Sequence, residues 1–547
     1  MSQIASVPEV SLQYLLKQLP FDFSVDESGS DPRPSSLSGE VKISGISADS
    51  RELTEGDIFA ALQGAQNHGL DYLELINRKA SALLVDRSDA RAEKIETPLP
   101  VVRVSMLAER LGDIASGIYQ YPSAQMKLCG ITGTDGKTSV SRFVASVLRD
   151  LGLRAGYIGT IGWGMADGKA QDGELEDELV DNPLTTPPPA TLQAMLASLQ
   201  QKKAEYAVLE VSSHALDQGR ASGVQFDVVV LTNLGRDHLD YHQTHDNYRA
   251  AKKKLFDWPG IDAAVVNLDD EFGRSLHQRG CDESACQMVG YSIEDAVGKT
   301  TDAQPQLFAT DIVADTSGLA FTLCKGEQQW RVSTGLLGRF NVSNLLAAVG
   351  VLDAFGIAVQ KVVDVLSGIK PVDGRMERFH VTGKPTAVVD YSHTPQALEV
   401  ALKTMRQHCD GDLWVVFGCG GDRDRGKRPE MGQVAMELAD HVIVTDDNPR
   451  TERSADIIEE ILTGVRGSTS ASNNLDVISE RRDAIVHALS EAAPDDWVLV
   501  AGKGHEDYQI VGTERLHFSD RELVSELLGL TTSICDTDRV CRQEANS

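Results

Sequence analysis

The segment Gly130-Ile131-Thr132-Gly133-Thr134-Asp135-Gly136-Lys137-Thr138-Ser139 combines glycines, a lysine and hydroxyls between an apolar run and a helical pattern. Glycines let backbone N–H groups curl around anionic oxygens, and a following helix adds positive charge at its first turn. Lys137 would then reach the outer phosphates of a nucleotide, and Thr138 would ligate magnesium. The spacing departs from the usual G-x-x-x-x-G-K-[ST], because Ile131 stands five residues before Gly136. Such a loop alone leaves motors, switches and kinases open. Glu210 ends a second apolar run, and Thr232-Asn233 with Asp237-His238 follow a third, so carboxylates and a histidine are expected on the same rim. Lys252, in Tyr248-Arg249-Ala250-Ala251-Lys252-Lys253-Lys254, reads on its own as part of a solvated helix face.

Positioning these groups requires a layered scaffold, and the chain divides into three blocks with a polar tail. Residues 1–122 open with an amphipathic stretch at 10–19, a Ser/Pro/Asp-rich loop at 26–39, and short strands at 41–46 and 82–85. Residues 123–368 place strands at 127–131, 206–211, 228–231 and 263–266, with a helix at 138–151. Residues 369–530 repeat the alternation, with strands at 387–391, 413–417, 441–445 and 497–501, and 531–547 form the tail. The pattern predicts an α/β protein whose central, mostly parallel sheet is flanked by helices, with a smaller N-terminal α/β domain and a Rossmann-like C-terminal one. The polar stretch 280–306 reads as surface elaboration.

Composition narrows the possible partners. Acidic residues outnumber basic ones 81 to 52, a net charge of −29 in 547 residues, which argues against a nucleic-acid partner. Hydrophobic residues at 41% supply several cores, while no apolar run is long enough for a membrane span and the start lacks the order of a signal peptide, so a cytoplasmic protein is expected. Eight scattered cysteines without a C-x-x-C pair are expected to be buried, reduced thiols.

Further motifs occur together. They are Thr185-Thr186-Pro187, Glu210-Val211-Ser212-Ser213-His214, Asp237-His238-Leu239-Asp240, Ala251-Lys252, Gly338-Arg339-Phe340-Asn341, Gly374-Arg375, Asp390-Tyr391-Ser392-His393-Thr394-Pro395, Gly418-Cys419-Gly420-Gly421-Asp422-Arg423-Asp424, Asp447-Asn448-Pro449-Arg450 and Gly502-Lys503-Gly504-His505-Glu506. With the phosphate loop, this combination resembles the Mur ligase family, in particular its MurE type, over roughly residues 40 to 525. The resemblance implies ATP and Mg2+ as cofactors, and transfer of meso-diaminopimelate to UDP-N-acetylmuramoyl-L-alanyl-D-glutamate through an acyl phosphate, by a protein acting as a monomer. It implies that Gly133, Thr134, Asp135, Gly136, Lys137, Thr138, Ser139, Asn341, Asn344, Arg375, Asp390 and His393 meet the nucleotide. Thr138, Glu210, His238 and a carbamylated Lys252 would surround the metal, with Lys137, Lys252 and His238 catalytic. Ser50 and the Ala65-Gln66-Asn67 turn would contact the UDP end, while Thr185, Thr186, Ser212, Gln218 and Arg220 would contact the muramoyl-dipeptide. Arg423, Asp447, Asn448, Pro449, Arg450, Gly502 and Glu506 would line the amino-acid pocket, where Arg450 offers a planar fork to the distal carboxylate.

Three positions depart from the family pattern: Asp135 where Asn is usual, Leu184 where Asn often stands, and Ser392 for Ala, the last expected to be benign. Rival readings are the same ligase using L-lysine, a folylpolyglutamate synthetase, and a P-loop ATPase without ligase activity. The Asp-Asn-Pro-Arg motif and the N-terminal block argue against the second.

Overall fold

The computed structural model describes residues 10–19, 23–26, 41–64, 67–166, 178–182, 184–283, 286–293, 305–466 and 474–530. Ala65, Gln66, Cys535, Cys541, nearly all of the 26–39 loop and the 531–547 tail lie outside the described residues. Two compact units form. One comprises Met1–Thr310, Leu323–Trp330 and Ser343–Leu366, the other Asp311–Thr322, Arg331–Val342 and Ser367–Ser547.

In the first unit a parallel ladder runs Ala155–Gly159, Tyr206–Glu210, Lys127–Thr132, Val228–Leu231, Ala263–Asn267, Gln287–Ser292. Antiparallel strands Gly162–Met165 and Glu178–Val180 extend it beyond Ala155–Gly159. These strands are short, β-branched and buried on both faces, as expected of a parallel sheet covered by helices. The phosphate-loop strand is central: Glu210 pairs with Ile131 and Leu231 with Thr132, so three strand ends open on one rim. Helix Lys137–Asp150 covers the sheet with Val140, Phe143, Val144, Val147 and Leu148, at the i, i+3, i+4, i+7 spacing of a buried face. A separate sheet, in the order Phe23–Asp26, Val101–Val104, Ala82–Asp86, Asp57–Ala61, Gly45–Ser47, is parallel except for its first strand.

The second unit carries a sheet in the order Glu377–Phe379, Thr386–Asp390, Trp497–Ala501, Leu413–Phe417, His441–Val444, Asn474–Val477, parallel except for its first strand. Strand alternation divides its core in two. Val415, Phe417 and Leu499 pack with Leu402, Met431 and Ile461 on one face, while Val416, Ile443 and Val500 pack with Ile485, Leu523 and Val524 on the other.

Some expectations need correction. The stretch 280–306 is not all surface elaboration, because Gln287–Ser292 joins the sheet beside Ala263–Asn267 and buries Val289 and Tyr291; residues 284–285 and 294–304 lie outside the described residues. Its polar flanks hide the apolar core of the strand from a pattern reading. The amphipathic stretch 10–19 holds the helix Leu12–Gln18, and the strand expected at 41–46 is two short strands, Lys42–Ile43 and Gly45–Ser47. Cys129, Cys324 and Cys419 are buried as expected, but Cys281 is exposed. Among the described residues no helix is long and apolar enough to cross a membrane.

Candidate active site

Gly136 caps helix Lys137–Asp150 with φ +80° and no side-chain cap, which leaves the first helical N–H groups for an anion. A Cβ on Gly136 would lie 2.6 Å from Asn344 Oδ1, so the asparagine packs against the loop itself. Neighbouring strand ends brace the loop from below. Asn233 Oδ1 accepts from the Asp135 amide (2.9 Å), Thr232 Oγ1 donates to the Asp135 carbonyl (2.5 Å), and Thr134 Oγ1 accepts from the Gly235 amide (2.8 Å). Asp135, the departure from the family pattern, is anchored by its backbone and exposes its side chain. Lys137 Nζ folds back to the carbonyls of Gly133 and Thr134 at 2.9 and 2.8 Å, and Ser139 is half-buried in the first turn.

Glu210 is fully buried at the end of its strand. Its carboxylate accepts from Thr138 Oγ1 (2.9 Å), Thr160 Oγ1 (3.0 Å), Tyr157 Oη (2.5 Å) and the Thr160 amide (3.2 Å). All of these donors are neutral, and a buried carboxylate so placed favours a nearby cation. Burial and the Glu210 charge push the Tyr157 phenol well above its usual range, which keeps it a donor.

Lys252 overturns the solvated-face reading, with a relative exposure of 1%. Its Nζ donates to the Gly133 carbonyl at 2.6 Å and stands 4.5 Å from the Tyr248 ring centroid. Burial, with Lys137 nearby, pushes its pKa well below the ordinary lysine range. The next two lysines behave as surface residues, Lys253 pairing with Asp257 at 2.6 Å and Lys254 with Asp217 at 2.9 Å. The buried face is Tyr248, Ala251 and Lys252, an i, i+3, i+4 set that was readable as a helical stripe.

His238 adopts φ +52° and faces Asp237 at 3.3 Å, in a ring cluster with His214 at 4.7 Å between centroids. Among the described residues no hydrogen bond joins it to Thr138, Glu210 or Lys252, so the structure brings the first pair together and leaves His238 apart. Among the described residues no three His, Cys, Asp or Glu side chains are grouped to hold a metal.

The residues expected to touch the muramoyl-dipeptide first touch one another. Thr186 Oγ1 donates to the Glu210 carbonyl (2.7 Å) and accepts from the Ser212 amide (3.1 Å). Its hydroxyl thereby holds the strand end in place. Ser212 Oγ caps the helix Ser213–Asp217. Arg220 donates to Gln218 Oε1 and the Thr186 carbonyl, Gln218 to Tyr241 Oη, and Thr185 lies 3.0 Å from Thr160, hydroxyl to hydroxyl. In the loops around the smaller sheet, Ser50 is buried and Asn67 donates to Tyr72 Oη.

In the second unit Asp390 accepts from the Met376 amide (2.7 Å) and from both the amide and the hydroxyl of Ser392. Its carboxylate closes its own turn, and Ser392 contributes a hydrogen bond that Ala would not. Arg375 lies over the Tyr391 ring at 4.6 Å, His393 Nδ1 bonds the Tyr391 carbonyl, and Asn341 is buried with its amide on the Leu337 carbonyl.

Several of the residues expected in the amino-acid pocket lie side by side. Asn448 Nδ2 donates to both Asp447 Oδ1 (3.0 Å) and Glu506 Oε2 (3.1 Å), while its Oδ1 accepts from the Ile510 amide (2.9 Å). Two carboxylates 59 positions apart in sequence thus converge on one amide. Arg450, at φ +51°, donates from Nη1 to the Gly421 carbonyl (2.9 Å) and makes no other side-chain hydrogen bond among the described residues. A Cβ on Gly420 would lie 2.9 Å from Arg450 Nη1 and 3.6 Å from Arg423 Cγ, so both cations flank one turn. Gly502, at φ +120°, leaves room for Asp447, since a Cβ there would come within 2.6 Å of Oδ2. The Pro449 carbonyl sits against Gly421. Three residues that pattern reading missed support these sites: Tyr157, Thr160 and the fully buried Lys503, whose Nζ lies 3.5 Å from Glu506 and bonds the Tyr508 carbonyl. Lys503 carried a signal, its place inside the Gly-Lys-Gly-His-Glu motif; Tyr157 and Thr160 carried none.

The chain matches the Mur ligase family catalytic domain over residues 42–119, the Mur ligase middle domain over 131–352, and the Mur ligase glutamate ligase domain over 374–504. The chain belongs to the Mur ligase family. It is 42% identical over 513 residues to the UDP-N-acetylmuramoyl-L-alanyl-D-glutamate--2,6-diaminopimelate ligase of Alkalilimnicola ehrlichii, covering 92% of this chain and 97% of that one. It is 43% identical to the ligase of the same name from Xanthomonas campestris pv. campestris, over 90% of this chain and 95% of the relative. A solved structure of such a ligase, 32% identical, superposes with a TM-score of 0.65 over 89% of this chain and 95% of its own.

Proposed function

We propose that this protein is an ATP-dependent ligase that joins meso-2,6-diaminopimelate to UDP-N-acetylmuramoyl-L-alanyl-D-glutamate in peptidoglycan precursor synthesis, releasing ADP and phosphate. The nearly full-length likeness to ligases of that name carries the reading. The phosphate loop, with Lys137 and the open helix start, receives the triphosphate, and Asn344 supports the loop. The residues fit a divalent cation, because the buried Glu210 carboxylate and the Thr138 hydroxyl adjoin one another without a cationic donor in their hydrogen bonds. Bound magnesium supplies charge neutralisation at the transferring phosphoryl group. Lys252, buried and biased toward its neutral amine, suits carbamate formation with carbon dioxide, which would convert it to a carboxylate-like ligand. His238, which stands apart from Thr138, Glu210 and Lys252 beside Asp237 and His214, keeps a proposed role near the cation.

Thr185, Ser212, Gln218 and Arg220 are proposed for the muramoyl-dipeptide, and Ser50 with the 65–67 turn for the UDP end. Arg375 and His393 keep a proposed nucleotide role. Arg450 would face the distal carboxylate of diaminopimelate, with Asp447 and Glu506 facing its ammonium group. The protein is expected to act as a cytoplasmic monomer. The test offers meso-diaminopimelate and L-lysine at equal concentration and follows both incorporation and ATP turnover. Incorporation of diaminopimelate, with turnover dependent on both co-substrates, is expected. Preference for L-lysine would sink the pocket assignment, and turnover without co-substrates would favour a simple ATPase.

A further inference from the structure

Two loops build the amino-acid pocket, 447–450 after the strand His441–Val444 and 502–506 after the strand Trp497–Ala501. Those strands are not neighbours, because Leu413–Phe417 lies between them. The two strands therefore share no ladder, and the loops meet further out, where Asn448 bonds Glu506 and Arg450 bridges to Val511 in the hairpin beyond 502–506. At the strand ends themselves a single buried guanidinium reaches both loops. Arg481 Nη1 donates to the Asp446 carbonyl (3.1 Å) and Nη2 to the Ala501 carbonyl (2.9 Å), the residues immediately before Asp447 and Gly502. Its remaining reach is fixed by Asp520, with Nε to Oδ1 at 2.8 Å and Nη2 to Oδ2 at 2.7 Å, and both side chains have no exposure.

We infer that Arg481, locked by Asp520, is a positioning residue that sets the separation of the two pocket loops, and through it the approach of Asp447 and Glu506 to their common partner Asn448. The inference rests on the amino-acid pocket assigned above. A stability role explains the arrangement less well. Buried ion pairs often contribute little net stability relative to apolar replacements. Arg481 also begins the helix Arg481–Glu491, where a cation opposes the helix dipole. What the site uses is the planar fork, which addresses a carboxylate and two carbonyls at once, a geometry that lysine cannot reproduce.

Arg481→Lys keeps the charge and removes the fork, and Asp520→Asn keeps the shape and loosens the lock. In each folded variant the KM for diaminopimelate should rise by about 10- to 100-fold, while KM for ATP and for the nucleotide dipeptide stays within about twofold. Because a merely structural lesion would lower active enzyme without separating the three constants, the split is the decisive readout. An unchanged KM for diaminopimelate in a folded variant, or equal rises for all three substrates, would overturn the proposal. So would failure of both variants to fold, since the pair would then be a fold determinant. Arg450→Ala, measured alongside, separates the two levels of the argument. If it also leaves the diaminopimelate KM unchanged, the pocket assignment fails; if it raises that KM while Arg481→Lys does not, only the positioning role fails.

Discussion

The phosphate loop and the proposed amino-acid pocket would solve the same problem, fixing charge against charge, by different means. The loop is contiguous, from Gly133 to Thr138, and its backbone is held by the strand ends beside it. The pocket gathers side chains from turns at 420–423, 447–450 and 502–506, and depends on Asn448 and Arg481 to bring them together. A local motif needs only the right turn, whereas a dispersed pocket needs a second set of residues to hold the first. Sensitivity to substitution should differ accordingly.

The largest expected effect lies below the phosphate loop. Lys252→Ala should reduce turnover by about 10³-fold, because it removes the proposed carbamylated ligand, whose stabilisation would be greatest in the transition state, and short carboxylic acids should restore part of it. Turnover close to that of the unaltered enzyme would return Lys252 to a packing role and would remove the catalytic half of the contrast.

A smaller effect is expected at the pocket. Arg450 already spends one N–H on the Gly421 carbonyl, so Arg450→Ala should cost about 2–3 kcal/mol, or about 30- to 150-fold in the KM for diaminopimelate. The KM for ATP should be nearly unchanged. Steady-state kinetics with each substrate varied in turn checks this, and a parallel rise for ATP would show that the two regions are not separable.

The smallest concerns acid. Burial pushes His505 from 6.5 down to about 4. Between those values the unfolded chain binds the proton and the folded one does not, so stability present at neutral pH is lost as pH falls through that window. From pH 7 to pH 5 the loss from this residue is at most about 2 kcal/mol. Thermal melts at the two pH values should show a smaller drop for His505→Gln than for the unaltered protein, and an equal drop would exclude His505 as a source of acid lability.

Much of this molecule is legible along the chain. The parallel strands, the helix after the phosphate loop and the pocket motifs lie within a few residues of where apolar runs and glycines place them, because periodicity and turn chemistry are local properties. The Lys127–Thr132 loop context and the Asp447–Arg450 turn belong to this class. Other features appear only on folding. The buried strand Gln287–Ser292 has polar flanks, and Lys252 differs from Lys253 only by the face on which it falls. Thr186 and Asp390 bond the backbone around their own strand ends, partners that their motifs do not announce. Arg481 finds Asp446, Ala501 and Asp520 at separations of 35, 20 and 39 residues. Local patterning specifies which backbone conformations are favoured; the partner of a polar side chain is chosen by burial, where an unpaired charge or donor costs more than the contact itself contributes, and burial is a property of the assembled chain.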